Sequence, residues 1–270
     1  MSNVTTELQD IHGCMNIPTS YRDENFKFLE DEILSNFMSD YPYFREEIFH
    51  SKNTPSKPTI TIFYENLCPH SVKFFSENFY KMVVESNLVD TVTLKLNSYG
   101  NTNHTKALNG TYSYTCEHGP RECNLNEMHA CVIKNEPSVA KILKFVNCSL
   151  YEAYYNTSKN PVDDCAETAE INVTSIYECM NTSANAYYYD FSEEFKKFGI
   201  DNVPSVAFNN TFNKTLSAEA VNNFPDSACN FLKANNLSNE YCKSKNSAAI
   251  PSVSFITFVI ASFLLVKMYQ

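Results

Sequence analysis

Thr59-Ile60-Thr61-Ile62-Phe63-Tyr64-Glu65-Asn66-Leu67-Cys68-Pro69-His70-Ser71 is the stretch on which the fold turns. Thr59 to Glu65 reads as a strand, and Val72 to Glu85 reads as a helix with Phe75, Phe79, Met82 and Val83 on one face. A second strand follows at Thr91 to Asn97, by alternation of Val92, Leu94 and Leu96. Strand, helix, strand at this spacing opens an α/β fold. A right-handed crossover then sets the helix on one face of the sheet with Cys68 at its amino end. A cysteine there meets unpaired backbone N–H groups and the positive end of the helix dipole, which stabilise a thiolate and lower its pKa below the free value of about 8.5. Cys68 is the candidate nucleophile. His70, when protonated, tunes the thiolate further, and the Ser71 hydroxyl can donate to the sulfur. The competing reading makes Cys68 half of a structural disulfide, with Cys14 as its partner.

Around this unit the chain divides into four stretches. Residues 1–58 form an extension, with a helical pattern from Arg22 to Phe49 (Phe26, Leu29, Ile33, Leu34, Phe37, Met38) and a Ser, Lys and Pro linker from Ser51 to Pro58. Residues 59–242 form the main domain. Within it Asn124 to Lys134, Ser138 to Val146 and Val162 to Met180 read as helices of a disulfide-held insertion at about 112–182. Sheet resumes at Ser205 to Phe208, and Ala218 to Leu232 closes the domain as helix. Residues 243–247 are a spacer, and 248–266 a hydrophobic helix.

Ten cysteines are too many for an ordinary cytosolic domain and fit an oxidising lumen. Asn-x-Ser/Thr sequons begin at Asn3, Asn103, Asn109, Asn147, Asn156, Asn172, Asn181, Asn209, Asn213 and Asn236, which adds glycosylation and the secretory pathway to that reading. Asn147 is the least accessible acceptor, because it adjoins Cys148. A formal charge of -10 with no basic stripe excludes a nucleic-acid partner. No Gly-rich loop cradles phosphate, and no paired carboxylates support hydrolysis. Cys116, Cys123 and Cys131 with His118 and His129 have metal-like spacing. Bridges suit a lumen better, so no metal is expected.

The ends carry their own signals. Met1 to Cys14 is polar, without the basic start or apolar core of a leader, which implies a start further upstream or entry by another element. Ala248 to Val266 is uncharged and mostly apolar, about the minimum length for a single membrane span, with Lys267 beyond it. The alternatives are a lipid-anchor signal beginning at Ser247-Ala248-Ala249 and a buried terminal helix.

Cys116-Glu117-His118-Gly119-Pro120-Arg121-Glu122-Cys123-Asn124-Leu125-Asn126-Glu127-Met128-His129-Ala130-Cys131 resembles the signature of the gamma-interferon-inducible lysosomal thiol reductase family, departing from Cys-Gln-His-Gly only at Glu117. Leu67-Cys68-Pro69, Tyr99-Gly100-Asn101, Val203-Pro204 and the late Cys229 and Cys242 fall in family order. The resemblance spans about Thr59 to Cys242. It implies a thioredoxin-like domain with a helical insertion that reduces protein disulfides in acidic endosomes or lysosomes. It puts the paired active cysteines at Cys68 and Ser71, so the resolving thiol is missing, and it sets a cis Pro204, with Pro69 and Val203, in the substrate groove. Cys116, Cys123, Cys131, Cys148, Cys165, Cys179, Cys229 and Cys242 are implied structural disulfides, with their pairing open.

Ser71 cannot expel a mixed disulfide, because a hydroxyl forms no disulfide. Net reduction then needs an outside reductant, and a low-molecular-weight thiol is expected in place of any cofactor. Three functions stay open: a membrane-anchored lumenal oxidoreductase using one-thiol chemistry on disulfide-containing proteins or peptides; a binding module for disulfides or peptides; and a structural surface glycoprotein.

Overall fold

The computed structural model describes residues 57–157 and 160–248. Strand β1 (Thr59–Phe63) is central in a three-stranded sheet of order β2-β1-β5, parallel to β2 (Thr93–Asn97) and antiparallel to β5 (Ser205–Phe208). A separate hairpin pairs β3 (Thr102–Lys106) with β4 (Tyr112–Cys116). Ile60 to Phe63 are all fully buried, as befits a strand covered on both faces. Ile60, Ile62 and Tyr64 join the larger core. Phe63 points the other way, against Phe195 and Phe198, with ring centroids 5.9 and 5.0 Å away.

The helical run after Cys68 comprises α1 (Pro69–Lys73), a π-helical turn (Phe74–Phe79) and α2 (Tyr80–Ser86). The sequence reading makes this one regular helix. Five-residue pairing sets Phe79 over Phe74, where the rings stack at 5.5 Å, and Phe75 also faces inward. Three phenylalanines within six residues are thereby buried on one side.

After α3 (Leu88–Thr91), β2 and the hairpin, the chain enters a helical block: α4 (Pro120–Asn135), α5 (Val139–Tyr155), α6 (Val162–Ala169), α7 (Val173–Thr182) and α8 (Ala184–Phe198). Where the sequence suggests one helix over Val162 to Met180, Glu170 takes a left-handed conformation (φ 57°) and Asn172 caps the next helix by accepting from Thr174 N–H. The insertion reading misses α8. Its buried face is largely aromatic, Tyr188, Phe191 and Phe195, against the second face of β1. The domain closes with α9 (Lys214–Asn222), α10 (Phe224–Ala234) and α11 (Glu240–Ala248).

Disulfides Cys116–Cys123, Cys131–Cys179, Cys148–Cys165 and Cys229–Cys242 fasten β4 to α4, α4 to α7, α5 to α6 and α10 to α11. Cys131–Cys179 spans 48 positions. By loop-closure entropy it contributes on the order of 4 kcal/mol.

The single-pass anchor is corrected. Among the described residues no helix is long and apolar enough to cross a membrane. Helix α11 covers the expected spacer and has 9 residues, about 13 Å at 1.5 Å per residue against a hydrocarbon layer of about 30 Å. Residues 249–266 lie outside the described residues, as do the expected helix from Arg22 to Phe49, Cys14 and Asn3. The expected membrane partner, anchored localisation and transmembrane helix therefore have no such helix to rest on among the described residues.

A buried polar network joins β1 to the helical block. Tyr64 OH lies 3.0 Å from His129 Nδ1, and Asn66 Nδ2 lies 3.3 Å from the same nitrogen. Both neighbours are donors there, so Nδ1 accepts and Nε2–H donates to Ser149 Oγ at 3.0 Å. Burial holds this neutral ring at a pKa of about 3, down from 6.5. The unfolded chain therefore binds a proton below 6.5 that the folded chain refuses, and His129 costs stability as pH falls from 6.5 towards 3. We expect this to take about 2 kcal/mol between pH 7 and pH 5. Urea unfolding at both values should show a smaller loss in His129→Gln than in wild type. Equal losses would disprove the assignment.

Candidate functional site

Cys68 follows a tight departure from β1. Asn66 is fixed by Asn126, whose Oδ1 accepts from Asn66 N–H at 2.8 Å and Asn66 Nδ2 at 2.9 Å. Leu67 then takes a left-handed conformation (φ 60°), which a leucine holds only under outside constraint. Pro69 begins α1, where its missing N–H costs nothing, and Cys68 C=O accepts from Val72 N–H at 3.0 Å. Cys68 is buried, at 5% exposure, and is the one free cysteine among the described residues.

A cavity of about 520 Å³ opens beside it. Cys68, Pro69, His70, Val203 and Pro204 all line it, and the Val203–Pro204 bond is cis. His70 is exposed. Ser71 is not on this wall: it is fully buried behind Cys68, and its Oγ accepts from Glu65 N–H at 3.4 Å.

The thiol differs from the sequence expectation. Burial pushes the Cys68 pKa up, the backbone N–H and hydroxyl of Ser71 pull it down, the Glu65 carboxylate pushes it up, and the His70 N–H pulls it down. The net direction is upward. Donors at the helix end favour the thiolate, but desolvation here outweighs them.

The sequence reading missed Glu65. Its side chain is 1% exposed yet reaches the cavity wall. Oε2 accepts from Asn101 N–H at 2.6 Å, while Oε1 has no hydrogen-bond partner. Burial raises its pKa to about 7; the Asn101 N–H and His118 oppose the rise, and Glu122 and Glu117 add to it. His118 Nδ1 lies 4.0 Å from Glu65 Oε1 and 2.6 Å from Glu122 Oε2. Glu122 is fully buried, and burial raises its pKa as well. Its Oε2 also accepts from His118 N–H at 2.6 Å, and its Oε1 accepts from Asn126 Nδ2 at 3.3 Å. The one sequence signal was an acid closing an otherwise apolar strand.

Gly119 is the cap position of α4, and Glu117 Oε2 accepts from Asn101 Nδ2 at 2.9 Å. Among the described residues, Glu65, His118 and Glu122 bring three metal-ligand atoms within 4.8 Å of one another. The short His118–Glu122 bond already occupies Nδ1 and Oε2, so the cluster reads as proton-sharing. The cysteines considered for zinc, Cys116, Cys123 and Cys131, are spent in disulfides.

Residues 59–169 match the family Gamma interferon inducible lysosomal thiol reductase (GILT). GILT-like protein 2 of Drosophila melanogaster is 30% identical over 171 residues, covering 63% of this chain and 78% of that protein. GILT-like protein 1 of the same fly is 30% identical over 224 residues, covering 77% and 88%. Among solved structures, oxidised BdbD from Bacillus subtilis aligns with a TM-score of 0.46 at 17% identity, covering 67% of this chain and 90% of that one.

Gly100 decides whether Glu65 can lie where it does. At φ +67° it takes a left-handed conformation, and a Cβ there would stand 2.3 Å from both Cβ and Oε2 of Glu65. Gly100→Ala must therefore strain the turn or expel the acid. We expect a stability loss of about 2–4 kcal/mol in denaturant unfolding. An unchanged midpoint would show that the turn and Glu65 do not constrain each other.

Proposed function

The chain belongs to the gamma interferon inducible lysosomal thiol reductase family, and on that premise we propose that it is a lumenal thiol-disulfide oxidoreductase acting on protein disulfides by one-thiol chemistry through Cys68. The observation that carries this reading is the free Cys68 on a cavity shared with Val203 and cis Pro204, while eight other cysteines are locked in disulfides. The names of the insect relatives support the same class.

The Cys68 thiolate attacks one sulfur of a substrate disulfide, and the other substrate sulfur leaves with the bonding electrons. Where the family has its second active cysteine, this chain has Ser71, which cannot resolve the adduct. A low-molecular-weight thiol attacks the Cys68 sulfur and releases the substrate thiol; a second frees Cys68. The substrate disulfide gains two electrons, and two small thiols become one disulfide. Pro69 and His70 border the reacting sulfur, and Val203 and Pro204 form the facing wall for extended substrate.

The setting is the endosomal or lysosomal lumen of the secretory pathway. Asn103, Asn109, Asn156, Asn172, Asn181, Asn209, Asn213 and Asn236 are exposed, in keeping with glycan acceptors. Asn147 is only part-exposed, and its Oδ1 is buried. Glycopeptide mapping of secreted protein should find glycans at several of the exposed sites and none at Asn147. A fully glycosylated Asn147, or bare asparagines throughout, would contradict this assignment.

The activity test is reduction of a denatured disulfide protein at about pH 5 with a small thiol present. Cys68→Ala should fall to the uncatalysed rate, and Ser71→Cys should need less small thiol than wild type. If wild type and Cys68→Ala are equally slow while Ser71→Cys turns over, the protein is instead a disulfide-capture module. The buried, raised thiol is the observation that favours that second reading.

A further inference from the structure

Around cis Pro204 the polar groups are mostly spent inside the protein. Proline itself has no N–H. Val203 N–H donates to Asn202 Oδ1 at 2.9 Å, and Val206 N–H donates to Ser217 Oγ at 2.9 Å. The Ser205 hydroxyl donates to the Asn202 carbonyl at 2.7 Å. Elsewhere on the same cavity, Asn101 N–H and Nδ2 are held by Glu65 and Glu117, and Lys214 is paired with Asp201 at 2.8 Å. An extended polypeptide entering beside Cys68 brings a main-chain carbonyl at every residue. A carbonyl that leaves water and finds no donor costs affinity.

Asn202 has a donor to give. The residue is exposed and lines the cavity. An N–H can only donate, so the atom that meets Val203 N–H is the amide oxygen, and this bond settles which way the amide is turned. The main-chain carbonyl of Asn202 is tied to Ser205, so the residue is held at both its backbone and its side chain. Its Nδ2 carries two hydrogens and has no partner among the described residues. A neutral donor is thus fixed in place one residue before the cis bond, on the wall where Val203 N–H is already taken.

We infer that Asn202 is a substrate-binding residue whose Nδ2 donates to a main-chain carbonyl of the polypeptide beside its reacting half-cystine. The ligand class is extended polypeptide, recognised through its backbone and so without regard to the side chains that flank the disulfide. A small disulfide without peptide carbonyls gains nothing from Asn202. The inference deepens the one-thiol reading and rests on it for the cavity as the seat of the substrate. Because the donor is pre-set by the Val203 bond, little ordering is needed when the peptide arrives.

The test uses two variants of the full chain with its disulfides intact. Asn202→Asp keeps an oxygen for Val203 N–H and removes the donor, whereas Asn202→Ala removes both. Reduction is followed at about pH 6, where an aspartate is ionised, with a small thiol present and two substrates: a neutral peptide with an internal disulfide, and bis(2-hydroxyethyl) disulfide, which has no carbonyl. Asn202→Asp should raise KM for the peptide about tenfold with kcat little changed. It should leave turnover of the small disulfide and the rate of Cys68 alkylation by iodoacetamide at the wild-type values. If Asn202 only braces the loop, Asn202→Asp will match wild type on both substrates while Asn202→Ala slows both, and the inference is overturned.

Calorimetric binding of the same peptide with serine in place of both cysteines separates this inference from the reading beneath it. Weaker binding by Asn202→Asp, with wild type reducing neither disulfide, would sink the oxidoreductase reading and leave Asn202 as a peptide-binding residue. Equal binding by the two proteins, with wild type active on both disulfides, would sink the role of Asn202 alone. Equal binding with no reduction would sink both.

Discussion

The Asn126 side chain is the fastening on which the site depends. From the second turn of α4 it accepts two hydrogen bonds from Asn66, and it donates to Glu122 and, at 3.1 Å, to Tyr188 OH. Tyr188 OH in turn donates to the Tyr99 carbonyl at 2.9 Å, while Ser98 Oγ donates to the Asn126 carbonyl at 2.9 Å. One buried amide thus holds the end of β1, the end of β2 and helix α8 to α4. Such groups are costly when unpaired, so the network admits one arrangement of these elements. The left-handed Leu67 and the position of Cys68 follow from it.

Two opposing electrostatic effects meet at Cys68. Backbone and hydroxyl donors from Ser71 and His70 stabilise the thiolate, while burial and the Glu65 carboxylate destabilise it. Desolvation is the largest contribution, so the thiol is held protonated more firmly than a free cysteine. Buried behind it, Ser71 supplies hydrogen bonds and no second sulfur.

Much of this was legible in the chain. The β1–helix–β2 unit announced itself because strand and helix periods differ within a few residues, and sheet was read to resume at Ser205 to Phe208 after Val203-Pro204. The hairpin of β3 and β4 was not, since Thr102 to Lys106 and Tyr112 to Cys116 are polar or mixed and are stabilised by pairing with each other. Helix α8 was missed because Tyr187, Tyr188 and Tyr189 also suit a strand; burial against Phe63 decides in favour of helix. The break at Asn223 in the expected helix from Ala218 to Leu232 comes from a cap followed by Pro225.

By itself the sequence determined the α/β class and marked Cys68, at the start of a helix after a strand, as the candidate nucleophile. Those follow from residue identity and short-range spacing, which carry periodicity, helix-end position and covalent chemistry. Tertiary structure alone decided the disulfide pairing, the direction of the Cys68 pKa and the meeting of Glu65 with His118 and Glu122. Positions 65 and 118 lie far apart in the chain, and burial, which sets both pKa values, is a property of the packed core rather than of any local segment.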